Sequence, residues 1–173
     1  MKIKTTTFTC RIEQGVLQLL EKESEEQGIS LNTLINKIIR NHVEWDYYGP
    51  KVGMIPMAKQ VISSLFEMMN DEEISELATN FGKNMIKDIT LFMKMKLDYD
   101  SFLMWLETRM KRSFIEFNHT NENDVYTYVL KHDLGYNWSL YHKKLLELIF
   151  HEFFEKHIKI EITNSILKFT FSK

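Results

Sequence analysis

The chain is poor in several residue types, and each shortage excludes something. One of its 173 residues is cysteine, two are proline and six are glycine. A single cysteine, Cys10, rules out an intrachain disulfide and a cysteine-rich zinc site. No run of about 18 apolar residues occurs, so no membrane span and no membrane partner are expected. The formal net charge is −2, which offers no general attraction to nucleic acid or to an anionic membrane. Any DNA affinity must come from a local patch. The opening MKIKTTTF lacks the apolar core of a signal peptide, so a cytoplasmic location is expected. Gly-rich phosphate loops, nucleophile elbows and HExxH patterns are missing, so no catalytic residues and no cofactor are expected.

The most informative stretch runs from Thr5 to Val43. Its start alternates with period two: Phe8, Cys10 and Ile12 fall on one face, and Thr7, Thr9 and Arg11 on the other, with Thr5 continuing the row. Threonine is β-branched and favours strands. Cys10, on the apolar face, is expected to be a small buried hydrophobe. A strand alone leaves its N–H and C=O groups unpaired, and its simplest partner is its own copy in a second chain. A helix follows from Glu13 to Gln27, with Val16, Leu17, Leu19 and Leu20 apolar and Glu21, Glu23, Glu25 and Glu26 solvated. Gly28 suits a helix C-cap, and Ser30 or Asn32 caps a second helix. That helix places Leu31, Leu34, Ile35, Ile38, Ile39 and Val43 at spacings of three and four.

This segment resembles the ribbon–helix–helix DNA-binding domain of the Arc/MetJ/CopG type. The likeness covers about residues 4 to 45. It rests on the alternating strand ending in Arg11-Ile12, the helix ending in Glu-Gln-Gly, and the Gly28-Ile29-Ser30-Leu31-Asn32 turn. It implies a homodimer, or a higher assembly, whose two strands pair antiparallel and enter the major groove of double-stranded DNA. Thr7, Thr9 and Arg11 would then contact bases, and the helix start at Ser30, Leu31 and Asn32 would grip a phosphate. Free N–H groups and the helix dipole favour an anion there. The implied role is sequence-specific transcriptional regulation.

Charge departs from a usual DNA binder. Residues 1 to 45 hold six Lys/Arg and six acids. Lys2, Lys4 and Arg11 lie at the expected ribbon, while Glu21, Glu23, Glu25 and Glu26 lie late in the first helix. The alternative is a protein that uses the same fold only to dimerise or to mask a partner, as an antitoxin does.

Both prolines, Pro50 and Pro56, mark a boundary that begins at Asp46-Tyr47-Tyr48-Gly49. The expected domains are 1–46, the ribbon–helix–helix unit, and 57–173, an α+β domain. Residues 57–110 read as helices: Met57, Val61, Ile62, Leu65, Phe66 and Met69 form one face, and Asn70-Asp71-Glu72-Glu73 starts the next helix. The abundant methionines follow helical spacing and are read as core. Residues 113–171 read as ββαββ, with strands at 113–118, 125–130, 158–162 and 167–171 and a helix over 139–157. One-sided alternation predicts an antiparallel sheet covered on one face. The expected fold class is therefore α+β, a βαα unit paired between chains followed by helices and a four-stranded sheet.

Metal ligation needs three or four converging ligands. The candidates His119, His132, Asp133, His142, His151 and Glu152 show no such spacing, so no metal site is expected. Nickel-responsive regulators also join a ribbon–helix–helix unit to a sheet domain. Their sensing sites use Cys as well as His, and this chain has no Cys past residue 10. The second domain is expected to bind a small-molecule or protein effector, or to extend the dimer. Trp105, Tyr126, Tyr128, Tyr136, Trp138 and Tyr141 are either the lining of an apolar pocket or packed core.

Overall fold

The computed structural model describes residues 5–172. Local chemistry sets most of its element ends. Residues 5–13 belong to no helix or strand of the single chain. Helix α1, Gln14–Glu26, is followed by Gly28 at φ +63° and then by α2, Leu31–Asn41. A π-helical turn, His42–Asp46, carries the backbone past the expected end of the second helix. The contacts divide the chain between Tyr48 and Gly49 into two compact units. Unit 1 ends here, and unit 2 opens with a 3-10 turn, Gly49–Val52, at the first of the two prolines.

In unit 2, α3 spans Lys59–Glu67 and α4 spans Asp71–Glu76. The start signal at Asn70 forms a reciprocal cap: Asn70 Oδ1 accepts from the backbone N–H of Glu72 and Glu73, and the Glu73 carboxylate accepts from Asn70 N. A π-helical segment, Leu77–Gly82, joins α4 to α5, Lys83–Lys94. Asp98 Oδ1 accepts from Ser101 N at 2.8 Å and starts α6, Tyr99–Arg112.

The chain then turns into a sheet built from two hairpins. β1, Glu116–Glu122, and β2, Val125–Lys131, are joined by Asn123 and Asp124. Both carry positive φ, the conformation of a two-residue type I′ turn. α7, Tyr136–Phe154, crosses over, and β3, Lys159–Ile162, returns through β4, Ile166–Ser172. The order is β1-β2-β4-β3, antiparallel throughout. The ββαββ reading and the α+β class therefore hold for this unit.

Some boundaries differ from expectation: the helix expected over 139–157 is Tyr136–Phe154, shifted towards the N-terminus. The strand expected at 113–118 begins at Glu116 because α6 runs on to Arg112. The helix closes with Phe114 N bonded to Lys111 O and Ile115 N to Met110 O. This is the left-handed cap usually made by glycine. Phe114 occupies the glycine position at φ +54°, so the sequence carried no stop signal there.

Register explains the core. Tyr126, Tyr128 and Leu130 on β2 face Phe171, Phe169 and Leu167 on β4. This row points to the covered face, while Thr127 and Thr170 pair on the opposite one. α7 contacts β3 and β4 as well as α3, α4 and α5. It therefore buries most of its circumference, from Trp138 to Phe150. Gly82 lets the π-helical segment approach α7, since a Cβ there would lie 2.6 Å from the Tyr141 hydroxyl. The methionines depart from the expected core: Met93 and Met110 are buried, but Met57, Met68, Met85, Met95 and Met104 are exposed. Helical spacing places a side chain on a face without deciding whether that face is covered. Among the described residues, no helix is long and apolar enough to cross a membrane.

Two interior histidines couple this packing to pH. His132 Nδ1 accepts the Leu134 N–H at 3.2 Å, so Nε2 carries the proton and donates to Ser139 Oγ at 2.8 Å. Ser139 Oγ donates in turn to Thr163 O. His142 Nδ1 donates to Trp138 O, and its buried Nε2 has no partner among the described residues. Burial holds His132 below the ordinary imidazole pKa. Burial, with Arg109 nearby, holds His142 well below it. The unfolded chain takes up protons at both sites as pH falls through the ordinary imidazole pKa of about 6.5, and the folded chain resists. Their contribution to stability is complete above that value and declines below it. Urea unfolding followed between about pH 7 and pH 5 should show falling stability, and His142→Leu should flatten the slope.

Candidate nucleic-acid interface

Unit 1 is small, and its own folding leaves most of its apolar surface open. Leu34 is 1% exposed and is the one large apolar side chain fully buried among its described residues. Phe8 is 72% exposed and Leu19 70% exposed, and Ile12, Val16, Ile38, Ile39 and Val43 are exposed as well. These residues were expected to face inward, as was Cys10, which is also exposed. The correction has a simple cause. The expected inward face of 5–12 exists only if something pairs with that segment, and among the described residues nothing does. Thr7, Thr9 and Arg11 are exposed, and Arg11 makes no ion pair among the described residues. Lys2 and Lys4 lie outside the described residues.

The connection between the helices is built by small polar groups. Ser24 Oγ donates to Glu21 O, while Gly28 N and Ile29 N bond to Glu25 O and Ser24 O, closing α1. Ser30, extended at φ −70° and ψ 149°, accepts the Thr33 N–H at 3.1 Å through Oγ. Asn36 Nδ2 donates to Asn32 O at 2.8 Å and to Asn32 Oδ1 at 3.2 Å, which orients the Asn32 carboxamide. No acceptor in the described chain takes the N–H of Leu31 or Asn32. Ser30 and Asn32 are exposed and Leu31 is half-buried. These groups form an open donor site at the positive end of α2.

The candidates in unit 2 are dispersed. His119 is exposed and stacks on Tyr128. Asp133 pairs with Lys59 at 2.8 Å, which lowers its carboxyl pKa through that hydrogen bond. Glu152 pairs with Lys83 at 2.8 Å, and His151 lies beside His157. Among the described residues, no three His, Cys, Asp or Glu converge to hold a metal. Trp105, Tyr128, Trp138 and Tyr141 are core, Tyr126 is half-buried and Tyr136 exposed, so these aromatics are packing rather than the walls of one pocket. A cleft of about 450 Å³ does exist in unit 2, between α4 with its π-helical extension and α7. Its α7 wall, Lys144, Glu147, Leu148 and His151, follows helical spacing. That stripe is legible in the sequence, beside the stronger apolar periodicity of the same helix.

No model of a known protein family and no curated protein matches the chain.

The cap at Ser30 is open to direct measurement. Ser30→Ala removes the acceptor for Thr33 N–H and should cost about 0.5–2 kcal/mol of local helix stability. Amide hydrogen exchange should show Thr33 losing protection while the amides of α7 keep theirs.

Proposed function

We propose that the chain is a homodimeric, sequence-specific DNA-binding protein of the ribbon–helix–helix type, acting as a transcriptional regulator. Its N-terminal segments would pair as an antiparallel ribbon in the major groove, with Thr7, Thr9 and Arg11 toward the bases. Leu31 and Asn32, behind the Ser30 cap, would hold a backbone phosphate. Unit 2 would carry an effector site or extend the assembly.

The observation that carries this reading is the open apolar face of unit 1. Unit 1, Met1–Tyr48, lies little above the size of about 40 residues below which domains rarely hold together without a staple or a partner; it has no disulfide available and a single fully buried large apolar side chain among its described residues. Full burial of one Phe or Leu stabilises by about 1.5–3 kcal/mol. Covering Phe8, Leu19, Ile38 and Ile39 would therefore offset much of the cost of ordering residues 5–12, and the backbone hydrogen bonds of a paired ribbon would add to it. A second copy offers the same face and an identical unpaired segment, so one association satisfies both needs. The polar row then points away from the dimer, beside an open helix start. The even balance of charge in residues 1 to 45 favours the other reading, a fold used to dimerise or to mask a protein partner.

Two substitutions separate the parts of this proposal. Phe8→Asp sets a carboxylate on the face that would be shared, and sedimentation should show the dimer lost. A well-folded monomer of the unaltered chain at micromolar concentration would overturn the ribbon. Arg11→Ala should cost roughly 1–3 kcal/mol for each base pairing lost and relax discrimination at two symmetric positions of a site selected from random DNA. Asn32→Ala should instead weaken binding to all sequences alike. If no sequence is enriched, and Arg11→Ala leaves affinity unchanged, the dimerisation reading stands in its place.

A further inference from the structure

The cleft between α4 and α7 collects polar groups that the fold does not use. Lys144 and Glu147 stand one turn apart on α7, and neither makes an ion pair among the described residues. His151 continues the same stripe, and its ring centre lies 6.2 Å from that of His157. Neither imidazole is hydrogen-bonded within the described chain. Across the cleft, the Thr79 hydroxyl donates to Ser75 O and keeps its lone pairs free to accept. Lys156 also borders the cleft, but its ammonium is already engaged by Ser172 O at 3.0 Å and lies over the Tyr99 ring. Leu148 adds an apolar wall.

We propose that this cleft binds a small phosphate monoester whose organic part carries hydroxyl groups. The donors outnumber the acceptors, as an anion requires: three N–H groups on Lys144 and at least one on each imidazole. A carboxylate has two oxygens to share among them, and a phosphate monoester has three terminal oxygens. Glu147 would repel a bare anion. It therefore matches a ligand hydroxyl, which donates to the carboxylate while the phosphate sits toward Lys144 and the histidines. Thr79 takes a second hydroxyl. The volume is within the range of small-molecule sites, about 300–1,000 Å³, and exceeds what inorganic phosphate alone would fill. The chain as a whole is negative, so attraction would come from these side chains and not from the general field. The inference names the effector class for the regulator proposed above, but the binding itself involves unit 2 alone. Its failure and the failure of DNA binding are therefore separately visible.

The test uses the full-length protein with labelled histidines and follows the imidazole signals by NMR. Glycerol 3-phosphate is expected to shift the His151 and His157 signals saturably in the millimolar range or below, while glycerol leaves them unmoved. Lys144→Gln should weaken binding about tenfold or more, since it removes a charge-assisted donor. Lys131→Gln, on the far side of the sheet, should bind like the unaltered chain. Thermal melting of Lys144→Gln should match that of the unaltered chain, which separates lost binding from lost folding. No saturable shift with glycerol 3-phosphate, unchanged affinity in Lys144→Gln, or tighter binding of succinate than of the phosphate ester would each overturn the proposal.

Discussion

Backbone groups and apolar side chains must be covered, and unit 1 cannot cover its own. Its two helices meet around Leu34 and little else. Phe8 and Ile12 sit on a segment that pairs with no strand among the described residues. In the proposed dimer the partner would decide which way the Thr7, Thr9 and Arg11 row points, and so what that row could touch. The open N–H groups at the start of α2 need no partner chain to exist, because the Ser30 cap and the Asn32–Asn36 pair form within one chain.

Unit 2 solves the same problem internally. α7 is apolar over much of its surface, apart from the stripe of Lys144, Glu147 and His151, so it can serve two layers at once, contacting β3 and β4 as well as α3, α4 and α5. The aromatic row of β2 and β4 stacks at ring-centre distances of 4.9 Å for Tyr128–Phe169 and 5.5 Å for Tyr126–Phe171. Phe150 reaches both Phe169 and Phe171 from the helix. Some polar groups caught in this interior are satisfied by short chains such as His132–Ser139–Thr163, whereas Thr90 Oγ1, the Tyr99 hydroxyl and Trp105 Nε1 have no hydrogen-bond partner among the described residues. Nε2 of His142 is a fourth such atom. Gly82 shows how tightly the helical layer meets α7, since the Tyr141 hydroxyl occupies the space a side chain would need.

The proposed ligand cleft and the proposed DNA-binding surface lie in separate units. Coupling between them would require each ligand to favour one arrangement of the protein over another, since a ligand shifts an equilibrium only by its differential affinity. The cleft borders the π-helical segment Leu77–Gly82, where the backbone departs from the α-helical bonding pattern; such segments are often found at functional sites.

Local chemistry was legible in the sequence. Asn70-Asp71-Glu72-Glu73, the Gly28–Ser30 turn and Asn123-Asp124 each mark an element end because the signal is carried by one or two side chains. The period-two patterns of 125–130 and 167–171 located the central strands, since alternation and one-sided burial are the same fact. Three things were decided only by tertiary structure. Phe114 took a left-handed cap that sequence assigns to glycine, because the next residues are held by the hairpin they enter. Most methionines proved exposed, because periodicity defines a face and only the neighbouring elements decide whether it is covered. The cleft groups Lys144, Glu147, His151 and His157 with Thr79 from a distant helix, and no spacing along the chain encodes a meeting of that kind. Sequence determines what each segment can bury or offer, and the fold determines which offers meet.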